Sequence, residues 1–97
     1  MAFSLVWTKR ATQGYDRIIS YLDQNWTVKE VQNFVKESDE FFALLCSYPE
    51  MLQKTNKEKN LHRGPLNRLT IITYRVKFSK QEIEIINIRG ARQKPLK

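Results

Sequence analysis

The stretch from Leu69 to Lys97 constrains the fold more than any other part of the chain. It opens as Leu69-Thr-Ile-Ile-Thr-Tyr-Arg-Val-Lys-Phe78, breaks at Ser79-Lys80-Gln81, and resumes as Glu82-Ile-Glu-Ile-Ile-Asn-Ile-Arg89. Two β-branched, partly alternating runs around a short polar break predict a β-hairpin. Parity puts Ile72, Tyr74, Val76 and Phe78 on one face of the first run and Ile71, Thr73, Arg75 and Lys77 on the other. Strict alternation in the second run sets Glu84, Ile86 and Ile88 against Ile83, Ile85, Asn87 and Arg89. That run ends in Gly90-Ala-Arg-Gln-Lys-Pro-Leu-Lys97, a basic tail without an acid, which suits an anionic partner.

Charge along the chain sharpens this. Residues 1–52 hold five Lys and Arg against seven Asp and Glu, whereas residues 53–97 hold twelve against three. Such asymmetry points to nucleic acid or an acidic protein as partner. A chain of 97 residues is expected to be one domain, burying roughly 60–68 % of its unfolded surface without staples. The single cysteine, Cys46, cannot form an internal disulfide, and no zinc spacing occurs, so neither metal nor cofactor is expected. The N-terminal run reaches Lys9 and Arg10 too early for a signal peptide, and no apolar run is long enough for a membrane span. A cytoplasmic protein with no membrane partner is the expectation.

Before the hairpin, residues 2–7 read as a strand with Phe3, Leu5 and Trp7 on one face. Thr8 can cap a helix whose apolar stripe is Ala11, Tyr15, Ile18, Ile19 and Leu22. Gly14 inside it implies either close packing against another element or a local bend. Thr27-Val-Lys-Glu30 has the spacing of a capping box, and Pro49 stops the second helix around Ser47. The two form an αα-hairpin with Glu30, Glu37, Asp39 and Glu40 on its outer face. Met51 to Asn60 reads as a mobile basic loop, and Leu61–Arg68, broken by Gly64-Pro65, as an edge or bulged strand. The order is β-α-α-β-β-β, an α+β fold of two N-terminal helices on a small, mostly antiparallel sheet.

That order and several residue runs resemble the RelE/ParE superfamily of bacterial toxins over nearly the whole chain. Trp7-Thr8, Ala11 and the Ile18, Ile19, Tyr21, Leu22 cluster are similar to that family's strand and first helix, and Tyr48-Pro49 to the close of its second. Tyr74-Arg75-Val76 matches the "Y-R-V" third strand. Arg89-Gly-Ala-Arg-Gln-Lys-Pro95 resembles the "H-G-x-R" and "R-Q-x-P" endings of related toxins. The resemblance implies a growth-inhibiting toxin of a type II toxin-antitoxin module, of the plasmid-stabilisation kind, neutralised by a cognate antitoxin. RelE-like members are ribosome-dependent mRNA endoribonucleases; ParE-like members poison DNA gyrase. The position where the nucleases commonly carry arginine aligns with Ile71, and neither tyrosine nor histidine follows Arg92, which favours the ParE-like side. On the nuclease alternative, His62, Arg75 and Arg92 are the catalytic candidates. Arg63, Arg75, Arg89, Arg92 and Lys94 are the candidates for binding the target. Arg75 has a competing role as an ion-pair partner of Glu82 or Glu84. A stand-alone RNA-binding module and an inactive toxin homologue complete the alternatives.

Overall fold

A computed structural model describes residues 3–56, 59–67 and 70–90. Strand β1 (Ser4–Trp7) leads into helix α1 (Lys9–Asn25) and helix α2 (Val28–Ser47). Four strands follow: β2 (Lys54–Asn56), β3 (Leu61–Asn67), β4 (Thr70–Lys77) and β5 (Glu82–Gly90), with a 3₁₀ turn at Phe78–Lys80 between the last two. They form one sheet in the order β1-β5-β4-β3-β2, antiparallel except for the β1–β5 pair. The α+β expectation holds, with one strand more than the sequence suggested.

Both helices lie on one face of the sheet. The core joins Ala11, Ile18 and Leu22 of α1 and Phe34, Phe41, Phe42 and Leu45 of α2 to Ile72, Tyr74, Val76, Ile83, Ile85 and Ile88 of the central strands. Trp7 binds the layers together, edge-on to both Tyr15 (5.6 Å) and Phe42 (5.2 Å). Thr8 carries two duties. Its hydroxyl oxygen accepts the Ala11 amide, capping α1, and the hydroxyl itself donates to Ile85 O (2.8 Å), pinning the helix start to β5 where β1 leaves it. At α2 the Thr27 hydroxyl likewise accepts the Glu30 amide.

Gly14 is a site of close approach. A Cβ there would collide with the backbone carbonyl oxygen of Ile88, an atom that cannot swing aside. Alanine would gain about 1 kcal/mol of helix propensity but must lift α1 off β5. Gly14→Ala is therefore expected to destabilise the fold by a net ~1–3 kcal/mol, read as a lower urea midpoint; an unchanged or higher midpoint would contradict the contact.

Three expectations are corrected. The supposed mobile loop contains β2, a three-residue strand whose polar Lys-Thr-Asn sequence has no apolar alternation to reveal it; short, polar, lysine-bearing strands are how sheets blunt their edges. With β2 outside it, β3 takes the second of its two expected forms, a bulged strand rather than an edge. It is bulged between Pro65 and Asn67. Its register with β2 stops at His62, so Pro65 lies past the paired residues and gives up its amide without breaking that ladder. Strict alternation in β5 also fails. Thr73 pairs with Asn87 but Tyr74 with Ile85, leaving Ile86 as an extra residue, a β-bulge. Ile83, Ile85 and Ile88 all turn inward as a result, while Glu84, Asn87 and Arg89 share the register rows of the outward residues Arg75, Thr73 and Ile71. Phe78 leaves its expected face for the 3₁₀ turn, where it packs edge-on against Phe3 (5.9 Å).

Candidate functional site

The sheet face away from the helices is open. On β4 it displays Ile71, Thr73, Arg75 and Lys77, all partly exposed, as the parity of the sequence predicts. Arg63 stands across from Thr73 on β3, and Arg89 across from Ile71 on β5. Arg63 and Arg75 are thus diagonal neighbours at roughly 7–8 Å, with Arg89 farther along the same face. The fold brings these three candidates together, and the bulge at Ile86 is what turns Arg89 to join them. Arg92 and Lys94 lie outside the described residues.

Arg75 is also an ion-pair residue. Its Nη1 lies 3.8 Å from Glu84 Oε1, which Lys77 Nζ approaches to 3.7 Å. Contacts this long at a partly exposed surface contribute about 0–1 kcal/mol, and they leave one carboxylate shared by two cations. Among the described residues, neither Arg63 nor Arg89 has an ion-pair partner. Beyond the residues singled out from sequence, Lys59, Lys77 and Lys80 join Arg75 around a shallow concavity at the hairpin end. At the opposite end, Arg89 borders a cleft whose other wall is α1, with Arg10 and Arg17. The parity of Lys77 with Arg75 was visible in the sequence. That Arg10 and Arg17 meet Arg89 depends on where α1 crosses β5.

His62, a catalytic candidate on the nuclease alternative, is instead a core residue, 1 % exposed. It sits on the inward parity of β3, stacks on the Tyr74 ring (centroids 5.0 Å, planes 4° apart), and its Nδ1 lies 2.8 Å from Leu52 O. A carbonyl can only accept, so Nδ1 carries the proton. Tyr74, wholly buried, donates its hydroxyl to Pro49 O (2.8 Å) and accepts the Leu52 amide (3.4 Å). Burial pushes this phenol up to about 12, the Leu52 amide opposing the rise and nearby Glu50 adding to it. Histidine and tyrosine together clasp the segment after α2 to the sheet. The Cys46 thiol is pushed up by burial, away from the reactive thiolate. No group of His, Cys, Asp and Glu that could hold a metal occurs among the described residues. Nor is any helix there long and apolar enough to cross a membrane.

A helical hairpin on one face of a sheet whose parallel β1–β5 pair flanks an antiparallel meander is the α+β arrangement expected of a RelE/ParE-type toxin. Residues 5–95 match the family model of the ParE toxin of type II toxin-antitoxin systems, parDE, and the chain belongs to that family. Toxins of this type pair with a cognate antitoxin. A comparison with curated proteins gives no match.

Proposed function

We propose that the chain arrests growth by binding its target through the open sheet face, in the ParE-like manner, with DNA gyrase as the target and the antitoxin as the cover that silences it. The observation that carries this reading is the burial of His62. The chain's one imidazole is committed to Leu52 O inside the core, so the face bearing Arg63, Arg75 and Arg89 lacks it for proton transfer. Ile71 stands on that face beside Arg89, where a nuclease would benefit from another cation to stabilise a phosphorane. What remains is suited to holding an anionic or acidic surface rather than to cutting RNA. Leu44 in the last turn of α2 and Tyr48, the residue that caps its end, both more than half exposed, give an antitoxin an apolar strip to cover.

One observation favours a second reading, an mRNA endoribonuclease. Glu84, flanked by Arg75 and Lys77, is a carboxylate placed among cations, an arrangement able to take a ribose 2′-hydroxyl proton beside charge that stabilises phosphate. A base-stacking RNA module has less support, because Tyr74 is buried and Phe78 has left the strand. The purified toxin is expected to inhibit gyrase supercoiling and to leave messenger RNA intact in a cell-free translation reaction. Ribosome-dependent loss of messenger with unimpaired supercoiling would reverse the assignment.

A further inference from the structure

The cleft between α1 and the end of β5 encloses about 380 Å³. One wall is a single stripe of α1: Arg10, Gln13, Gly14 and Arg17 follow i, i+3, i+4, i+7 spacing, so the two arginines stand roughly 10 Å apart along the axis. The other wall is Asn87, Ile88 and Arg89. The Gly14 contact with the Ile88 carbonyl sets the distance between the walls, and it does so at a point between the two helix arginines.

Three arginines thus border one concavity, Arg89 from the rim it shares with the open sheet face, with no acid among its lining residues. Nor do the helix neighbours help. Positions three and four residues from Arg10 are Val6, Trp7, Gln13 and Gly14, and those from Arg17 are Gln13, Gly14, Ser20 and Tyr21. No ion pair to any of the three arginines is formed among the described residues. Like charges gathered without a counter-charge repel one another, and a bound oxyanion relieves that repulsion while receiving charge-assisted hydrogen bonds from several directions. The side-chain amides of Gln13 and Asn87 add neutral donors. Forked guanidinium donors on residues of both walls suit the several oxygens of a phosphoryl group.

We propose that this cleft is a phosphate-binding site, taking a phosphoryl group of a nucleic-acid backbone or of a small phosphoester. It wraps the basic surface from the sheet, around Arg89, onto α1. The site shares Arg89 with the open sheet face, and Arg10 and Arg17 on α1 distinguish it from the target surface.

The test compares the full-length protein with two double variants of equal charge. Arg10→Gln with Arg17→Gln empties one wall of the cleft. Lys9→Gln with Lys29→Gln removes the same charge from exposed positions on the helices that do not line it. Binding of a fluorescein-labelled DNA duplex is followed by anisotropy over a salt series. The arginine variant is expected to bind at least about tenfold more weakly and to flatten the log–log salt slope by about 1.8, the release expected for two lost phosphate contacts. The lysine variant should keep nearly the wild-type slope. Equal losses in both variants would reduce the effect to net charge and overturn the proposal, as would no loss in the arginine variant. Inorganic phosphate is added as competitor. Displacement of the duplex from the wild type at millimolar phosphate supports a small phosphate ligand, and a duplex that resists it supports the backbone. A polyglutamate peptide whose binding needs Arg10 and Arg17, while duplex binding does not, would assign the cleft to carboxylates and overturn the phosphate proposal.

Discussion

Tyr74→Phe is expected to lower stability at neutral pH by about 2 kcal/mol and to change its dependence on alkaline pH. The substitution keeps the ring that stacks on His62 and removes only the hydroxyl, leaving Pro49 O and the Leu52 amide without their side-chain partner. A buried polar group deprived of its partner costs roughly 1–3 kcal/mol. The pH arm follows from the raised ionisation of this phenol. In the unfolded chain it ionises at the ordinary value of 10.0, in the fold at about 12. Below pH 10 both states hold the proton and its contribution is complete. Between 10 and 12 the unfolded state releases the proton first, so stability falls, and above 12 the contribution is gone. The gap corresponds to at most ~2.7 kcal/mol. Other tyrosines and lysines titrate in the same window, so the measurement is the difference between wild type and Tyr74→Phe in urea unfolding at several pH values. That difference should shrink from pH 10 toward 12. A difference constant to pH 12 would mean that the hydroxyl is not sealed from solvent.

The same clasp shows where reading the sequence reached its limit. Tyr74 was assignable to the core because β4 alternates cleanly, and each neighbour at Ile72 and Val76 supports the phase. The helix starts were legible for an equally local reason: Thr8 and Thr27 each satisfy an amide three residues on. His62 was not. Its burial is made tolerable by Leu52 O, ten residues away, and by the Tyr74 ring across the ladder, neither of which leaves a periodic trace. The β5 bulge was hidden because Ile85 and Ile86 are alike, so either register looks apolar. β2 escaped because an edge strand that avoids aggregation carries no apolar alternation. At the site, Arg63, Arg75 and Arg89 could be named from charge and parity, whereas Arg10 and Arg17 belong to the acid-rich half of the chain. Their approach to Arg89 follows from the Gly14 contact. The sequence marked Gly14 as either a close approach or a bend, and the packing of α1 on β5 decides for the first.

Replacing Arg63, Arg75 and Arg89 together by glutamine is expected to abolish growth arrest when the toxin is induced without its antitoxin, with little change in thermal midpoint. The structural cost is small. Arg63 is exposed, neither it nor Arg89 carries an ion pair among the described residues, and Glu84 keeps Lys77 when Arg75 is gone. Loss of the Arg75–Glu84 contact should amount to about 0–1 kcal/mol. The functional cost follows from electrostatics, since the open face loses three positive charges and keeps Glu84, so its field toward an anionic or acidic target collapses. The single variants should not be equal. Glu84 already offsets part of the charge of Arg75, whereas Arg63 and Arg89 act at full strength, so removing either of these should weaken arrest more than removing Arg75. On the nuclease reading the order inverts, because Arg75 and Glu84 would then sit at the reacting phosphate and Arg75→Gln would be the most damaging single change. Colony counts after induction rank the variants, and circular dichroism melting checks the fold of each. A triple variant that is folded and fully toxic would remove the open sheet face from the mechanism.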